Sequence, residues 1–302
     1  MKRFAILLVL AGCSIRGMAI HSMANALSEQ GDLFSSDDDP ELVRDASAFG
    51  LKTYEALLAS EPNHEGLLLA AARGFTQYGY AFVEGEADRL EDTDPVRARA
   101  MRQRARKLYL RAHRYALRGL EARHAGCARE LEADPKVALA KMTREDVPLL
   151  YWAGASWALA VSASKDDLDL VAQLGRVEPI MRRALELDEG FEHGAIHEFF
   201  IAFDGSRSEA MGGSPVRARK HFERAVELNH GTKASAFVSL AESVAVGQQN
   251  LGEFKRLLER ALAISPDAVP ALRLENTIAQ RRAAWLLSRV DALFVAKEEV
   301  SQ

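Results

Sequence analysis

Past an N-terminal leader, the apolar side chains of this chain return every three to four positions, and two-residue alternation is hardly visible. That period predicts helices almost throughout. Met101, Ala105, Leu108, Ala112, Tyr115 and Leu120 form one helical stripe, and Ala218, Phe222, Ala225 and Val226 form another. Helix starts are marked at Asp39-Pro40, Asp94-Pro95 and Ser214-Pro215. In each, a capping side chain precedes a proline that loses nothing at the first helical position. Turns fall at Glu61-Pro62-Asn63, Asn229-His230-Gly231 and Ser265-Pro266-Asp267. The most apolar stretch, Val147 to Val161, is too short and too interrupted by small residues to cross a bilayer, so it reads as a buried central helix.

Four segments repeat a half-motif at a helix end. They are Tyr54-x-x-Leu57 leading to Pro62, Met181-x-x-Ala184, Phe222-x-x-Ala225 and Leu258-x-x-Ala261, the last three followed by a polar turn. A large apolar residue, a small one three later and then a turn resembles the second helix of a tetratricopeptide repeat. The small residue lets a paired helix approach, the large one fills the groove, and the turn starts the next hairpin. Leu68, Ala71, Ala72 and Phe75 suit a first helix, whereas residues 85–175 fit no clean repeat. The expectation is all-α: irregular tetratricopeptide-like hairpins in a right-handed superhelical stack over residues 39–296, with 297–302 as a tail.

The N-terminus carries an address. Lys2 and Arg3 precede an apolar run from Phe4 to Ala11, then Leu10-Ala11-Gly12-Cys13 closes it, as in a bacterial lipoprotein signal. Residues 1–12 are thus expected to be removed and Cys13 to be acylated, with residues 13–38 as a tether and short N-terminal segment. The protein would then be periplasmic and held to a membrane by lipid. Asp37 to Asp39 could bind a cation, but carboxylates before Pro40 read more simply as charge favoured by a helix N-terminus. Of the two cysteines, Cys13 is the lipid site, which leaves Cys127 alone and rules out an intrachain disulfide. A formal charge of −4, more negative without Lys2 and Arg3, argues against nucleic-acid binding.

With that start, the segments DDDPELVRDA (37–46), LLLAAARGFTQYGYAF (67–82), LYLRAHRYALRGLEARH (108–124), VPLLYWAGASWALA (147–160), HGAIHEFF (193–200), RKHFERAVEL (219–228), AESVAVGQQN (241–250) and NTIAQRRAAWLLSRVDALF (276–294) resemble the T-component family of TRAP transporters. The resemblance covers essentially the whole mature chain. It implies a periplasmic helical-repeat lipoprotein, homo-oligomeric and expected to be a trimer, whose partner is the extracytoplasmic solute-binding protein of a TRAP system. It brings no catalytic residue with it.

Arg97, Arg104, Arg111 and Arg118 recur every seven residues, with Arg102, Arg106, Lys107 and Arg114 beside them, and Arg104, Arg111 and Arg118 are the candidates for a partner. One reading is a surface for an acidic partner. The other is a solvated face neutralised by Glu84, Glu86, Asp88, Glu91 and Asp92. Tyr78, Tyr80, Tyr151 and Trp152, with Gln77, Phe82 and Trp157, offer rings with hydrogen-bonding edges that suit either a small-ligand cavity or the core. His193 and His197 are four apart, the spacing of two metal ligands on one helix face, yet Glu198 follows the second histidine and no third ligand is evident. The pair therefore reads as structural, with His197 a candidate polar anchor for a ligand. Asn276, Arg281 and Arg282 suit either turn carbonyls or a partner. Neither a metal nor a cofactor is expected.

No nucleophile elbow, phosphate loop or dinucleotide fingerprint is present, and an acid pair such as Glu192 and Glu198 carries little weight in a glutamate-rich helical chain. The expectation is a non-enzymatic docking protein that binds or channels a small ligand. A tetratricopeptide scaffold for envelope or secretion assembly is the alternative, and a cell-wall hydrolase a remote one.

Overall fold

A computed structural model describes residues 17–28, 34–164 and 167–295, and the expectations for Cys13 and for the 297–302 tail lie outside these. The protein is all-α, with no strand among the described residues. The helices are α1 (residues 17–28), α2 (Pro40–Ser60), α3 (Glu65–Tyr78), α4 (Gly85–Leu90), α5 (Pro95–Arg123), α6 (Cys127–Ala133), α7 (Pro135–Ala140), α8 (Val147–Ser162), α9 (Leu168–Val171), α10 (Val177–Leu187), α11 (Ala195–Gly205), α12 (Pro215–Leu228), α13 (Ala234–Leu240), α14 (Leu251–Leu262), α15 (Arg273–Leu287) and α16 (Val290–Leu293). They group into two compact units. One holds the residues up to Leu33 and Glu41–Met181; the other holds Phe34–Pro40 and the residues from Arg182 onward.

The punctuation read from the sequence acts as expected. The Asp94 carboxylate accepts the Arg97 N–H and the Ser214 hydroxyl accepts the Arg217 N–H, each ahead of a proline at the first helical position. α2 begins at Pro40, and the Asp39 N–H donates to Asp37 Oδ1 at 2.8 Å, a local turn closed by the acidic run itself. Asp134 and Asn250 cap α7 and α14 in the same manner. The four half-motifs each end a helix, at Ser60, Leu187, Leu228 and Leu262. Their small positions Ala184, Ala225 and Ala261 are fully buried, as are Met181 and Leu258. Small residues there let neighbouring helices close up.

In the first unit, α3 and α8 pack on α5. Leu68, Ala71, Ala72 and Phe75 of α3 are all buried. So is nearly all of α8, the stretch Val147 to Val161, which is a core helix rather than a membrane span. The buried line of α5 runs through Ala98, Ala105, Tyr109, Ala112, Ala116 and Leu120, so the contact is centred on Tyr109 rather than on the flanking Leu108 and Tyr115. A π-helical turn, Gly79–Glu84, joins α3 to α4. A Cβ on Gly79 would lie 2.8 Å from the Tyr109 ring, so glycine here admits the tyrosine. The buried Tyr109 hydroxyl donates to Glu84, and burial together with that carboxylate pushes its pKa well above the ordinary value.

In the second unit α12 packs on α11, and α13, α14 and α15 pack on one another around Phe254, Leu258, Ala261, Ala283 and Leu286. A second π turn, Ala241–Ala245, follows α13. Such hairpin-wise packing of successive helices is compatible with a tetratricopeptide-like stack. Arg273 ties residues 34–40 to this unit by donating to the Ser36 carbonyl at 2.9 Å.

Candidate functional site

The arginines of α5 divide by partner. Arg97, which begins the heptad row, meets Glu86 at 3.0 Å, and Arg102 meets Asp88 at 3.1 Å and also Glu91. Arg106 pairs with Asp167, a partner 61 residues away, and Arg123 at the helix end meets Glu65 at 2.6 Å. The neutralised reading holds for these four.

Arg104, Arg111 and Arg118, which continue the row, are each held over an aromatic ring. The Arg104 guanidinium lies 5.8 Å from the Tyr78 ring centre and donates to its hydroxyl at 3.3 Å. Arg111 lies 5.2 Å from Phe75, and Arg118 lies 5.4 Å from Tyr115 and donates to the Pro62 carbonyl at 2.7 Å. Phe75 and Tyr115 stack on each other at 5.9 Å. Glu55 is the one acid in this row: it sits 3.4 Å from Arg111 and accepts the Tyr115 hydroxyl at 2.8 Å. Burial and that bond raise the Tyr115 pKa to about 12. Burial works to raise Glu55, but bonds from Lys52 and Tyr115 and the Arg111 charge hold it below its ordinary value. No carboxylate among the described residues pairs with Arg104 or Arg118, and Lys107 and Arg114, also exposed, add charge to the helix. The result is a cationic face whose guanidinium planes are pre-oriented by rings, which suits carboxylates of a partner.

The other candidate residues fall in different surroundings. Tyr78 belongs to this arginine row and Tyr80, in the π turn, is half exposed. Trp152 is buried with Ala72, Ala116 and Ala153, and Tyr151 packs edge-on against it at 4.9 Å. Trp157 is also buried, 4.6 Å from the His113 ring. Cys127 is buried and free, its thiol pushed up to about 11 first by burial and then by nearby acids.

His197 lies in the second unit, and it does not share a helix face with His193. Glu192, His193 and Gly194 all take left-handed backbone (φ 41°, 59° and 88°), so α11 starts only at Ala195. Gly194 at that bend sits against Leu228 and Ala225, where a Cβ would find contacts of 3.3 Å and 3.4 Å. The partners of His197 are instead His221, Nδ1 to Nδ1 at 2.7 Å, and Glu189, 3.2 Å from Nε2. Spacing pointed to His193; the missed partner, His221, comes from the neighbouring helix α12. Nε2 must donate to the carboxylate, so a neutral His197 accepts at Nδ1 and His221 donates. Arg224 clamps the same Glu189 through two bonds of 2.8 Å and 2.7 Å, and holds its pKa at about 2. Burial, then the adjacent His197, lowers His221 to about 4. Among the described residues, no three His, Cys, Asp or Glu side chains group to hold a metal ion.

Glu198, next along α11, is mostly covered and lies 2.9 Å from the buried Lys233, which also meets Glu275 at 3.1 Å. Burial raises the Glu198 pKa against the Lys233 charge. This cluster joins α11, the start of α13 and α15. Asn276, fully buried, closes it by accepting the Ala234 N–H at 2.8 Å and donating to the Thr232 carbonyl at 2.9 Å. Arg282 donates to Glu242 at 2.6 Å. Asn276 and Arg282 thus brace the helix stack.

Comparison with known proteins gives the arrangement its context. A protein of Treponema pallidum (strain Nichols), described only as an uncharacterized protein, is 31% identical over 310 residues, which cover 97% of this chain and 96% of the relative. The family model described as TRAP transporter T-component matches residues 36–294, which take in both units. The chain belongs to the TRAP transporter T-component family.

Proposed function

We propose that this protein is the lipid-anchored periplasmic component that docks the soluble solute-binding protein of a TRAP uptake system, and that the Arg104–Arg111–Arg118 face of α5 is where the receptor lands. Membership of the family supplies the system. The observation that carries the surface is the row of guanidiniums seated on Tyr78, Phe75 and Tyr115, with Arg104 and Arg118 unmatched by carboxylates among the described residues. An acidic patch on a receptor would meet charges already ordered, which speeds encounter and makes binding fall with salt. The anchor on Cys13, the periplasmic address, the trimer and the passage of a small ligand are parts of the same proposal. Tyr78 then serves the docking face rather than a cavity, and the chain does no covalent chemistry.

The test is binding of the solute-binding protein of a TRAP system from the same organism, followed by interferometry at rising ionic strength. Arg104→Glu is expected to weaken association at least tenfold at low salt and to flatten its salt dependence. Binding with an unchanged salt slope would remove α5 as the surface. No association of the wild-type protein at any salt or ligand condition would remove the docking role itself. Mass photometry of the purified protein checks the trimer.

A further inference from the structure

The first described helix, α1, has one face packed on its own unit and one left largely exposed among the described residues. Ile20, Ala24 and Leu27 turn inward onto the core around Leu51, Leu57, Leu67 and Leu68. A polar flank secures the register: His64 Nε2 lies 2.9 Å from Asn25 Oδ1, and His21 lies 3.7 Å from Glu61. The remaining arc holds Met18, Ala19, Ser22, Met23 and Ala26. Met18 is 68% exposed and Met23 47%. The helix contains no Asp, Glu, Lys or Arg; its one ionisable group, His21, is on the flank with Glu61.

The position of this face along the chain says what covers it. Gly17 is four residues from Cys13, so even a fully extended link spans no more than about 14 Å. A helix of twelve residues is about 18 Å long. With acyl chains on Cys13 in a bilayer, the start of α1 is held within about 14 Å of the anchor point, close enough for the helix to lie on the headgroup layer. An outward face free of charge, with pliable methionines, sheds little hydration on entering that layer. We propose that α1 is a seat on the membrane: its Met18–Met23 face rests on the lipid headgroup surface and, with the acyl chains, sets how the first unit stands on the bilayer. This rests on the lipid-anchor reading above. The protein is then oriented by its anchor as well as held by it.

The test uses the full acylated chain on vesicles of phosphatidylethanolamine and phosphatidylglycerol. An environment-sensitive fluorophore is placed at Met23→Cys and, as reference, at Val96→Cys, whose native side chain is 80% exposed in the same unit, at the end of α5 remote from the Arg118–Pro62 contact near α1. Cys127, buried and with its thiol raised to about 11, stays unlabelled under native conditions. The label at position 23 is expected to shift to the blue and to lose most of its emission to a quencher carried on the lipid headgroups, while the label at 96 stays water-like. A chain that pellets with vesicles but shows unquenched, water-like emission at 23 overturns the seat and leaves the anchor standing. A blue-shifted label that lipid-borne quencher does not reach gives the face to a second copy and also overturns it. Equal quenching at 23 and 96 removes the defined seating. A chain that stays out of the vesicle pellet overturns the anchor, and the seat with it. Met18→Glu with Met23→Glu is expected to keep the protein on vesicles while restoring rapid amide exchange across 17–28.

Discussion

The pentapeptide Pro-Val-Arg-Ala-Arg opens both α5, at Pro95–Arg99, and α12, at Pro215–Arg219, and each copy is preceded by an acid–glycine pair, Glu84-Gly85 and Asp204-Gly205. Locally the two copies behave alike. Each proline follows a side-chain cap, each valine is exposed, and Ala98 and Ala218 are fully buried. The acids part company. Glu84 takes the hydroxyl of Tyr109, deep in the first unit. Asp204 takes Arg217 from its own repeat, at 2.8 Å and 3.2 Å, with Arg207 at 3.4 Å. Arg219 likewise closes on Glu253, and Arg224 on Glu189. The arginines of α12 therefore end on carboxylates inside their own unit. α5 runs twice as long, 29 residues against 14, and three of its arginines, Arg104, Arg111 and Arg118, pass over rings instead. A repeated local signal sets where a helix starts and which alanine is buried; the side chain opposite decides whether a charge is consumed or kept for a partner.

The sharpest way to break the comparison is at the acids. Asp204→Ala should destabilise the second unit by about 3 kcal/mol, because it leaves Arg217 and Arg207 facing a site built for a carboxylate. Urea unfolding would measure this, and a change below about 1 kcal/mol would mean that the pair is a surface contact in energy. Tyr109→Phe should cost less, about 1–2 kcal/mol, since it removes one bond and leaves the Glu84 carboxylate without its buried donor.

The pH response should separate the two halves as well. His221 titrates near 4 in the folded protein against an ordinary 6.5, so the unfolded chain takes up its proton first as pH falls. Stability present above pH 6.5 is then lost progressively down to about 4. Glu189, held at about 2 by Arg224 and His197, extends the loss in the same direction below 4.5. The groups facing the pair are Glu189, Arg224, Asp204, Arg182 and Arg217. Thermal melts of His221→Asn should fall less steeply between pH 6.5 and 4 than wild type; an identical slope would show that the pair does not carry the effect. The smallest change is expected at the row itself. Arg104→Ala should shift stability by no more than about 0.5–1 kcal/mol, the size of an exposed cation–ring contact, although the same position governs receptor binding in the proposal.

Much of this was readable in residue order. Caps, prolines, the apolar period and the large-small-turn half-motifs are local signals, and they located the helices and several of the close-packing alanines without reference to the rest of the chain. The buried α8 was legible because a run of fifteen mostly apolar and small residues has no solvent face to offer. His193 misled because its spacing from His197 assumes one continuous helix, and three left-handed residues break it. His221 was missed for the converse reason, since nothing in spacing ties it to a residue 24 positions earlier. The same holds for Tyr109 under Gly79, for the π turn that brings Glu84 to it, and for the α5 arginines, whose sequence is equally basic on both faces. Which guanidinium meets an acid depends on which helix packs opposite, and a choice of partner across helices is not written in the spacing along either one. Sequence determined that this protein is built of helices and where most of them begin and end. The tertiary structure alone decided which charges were spent inside it and which were left facing out.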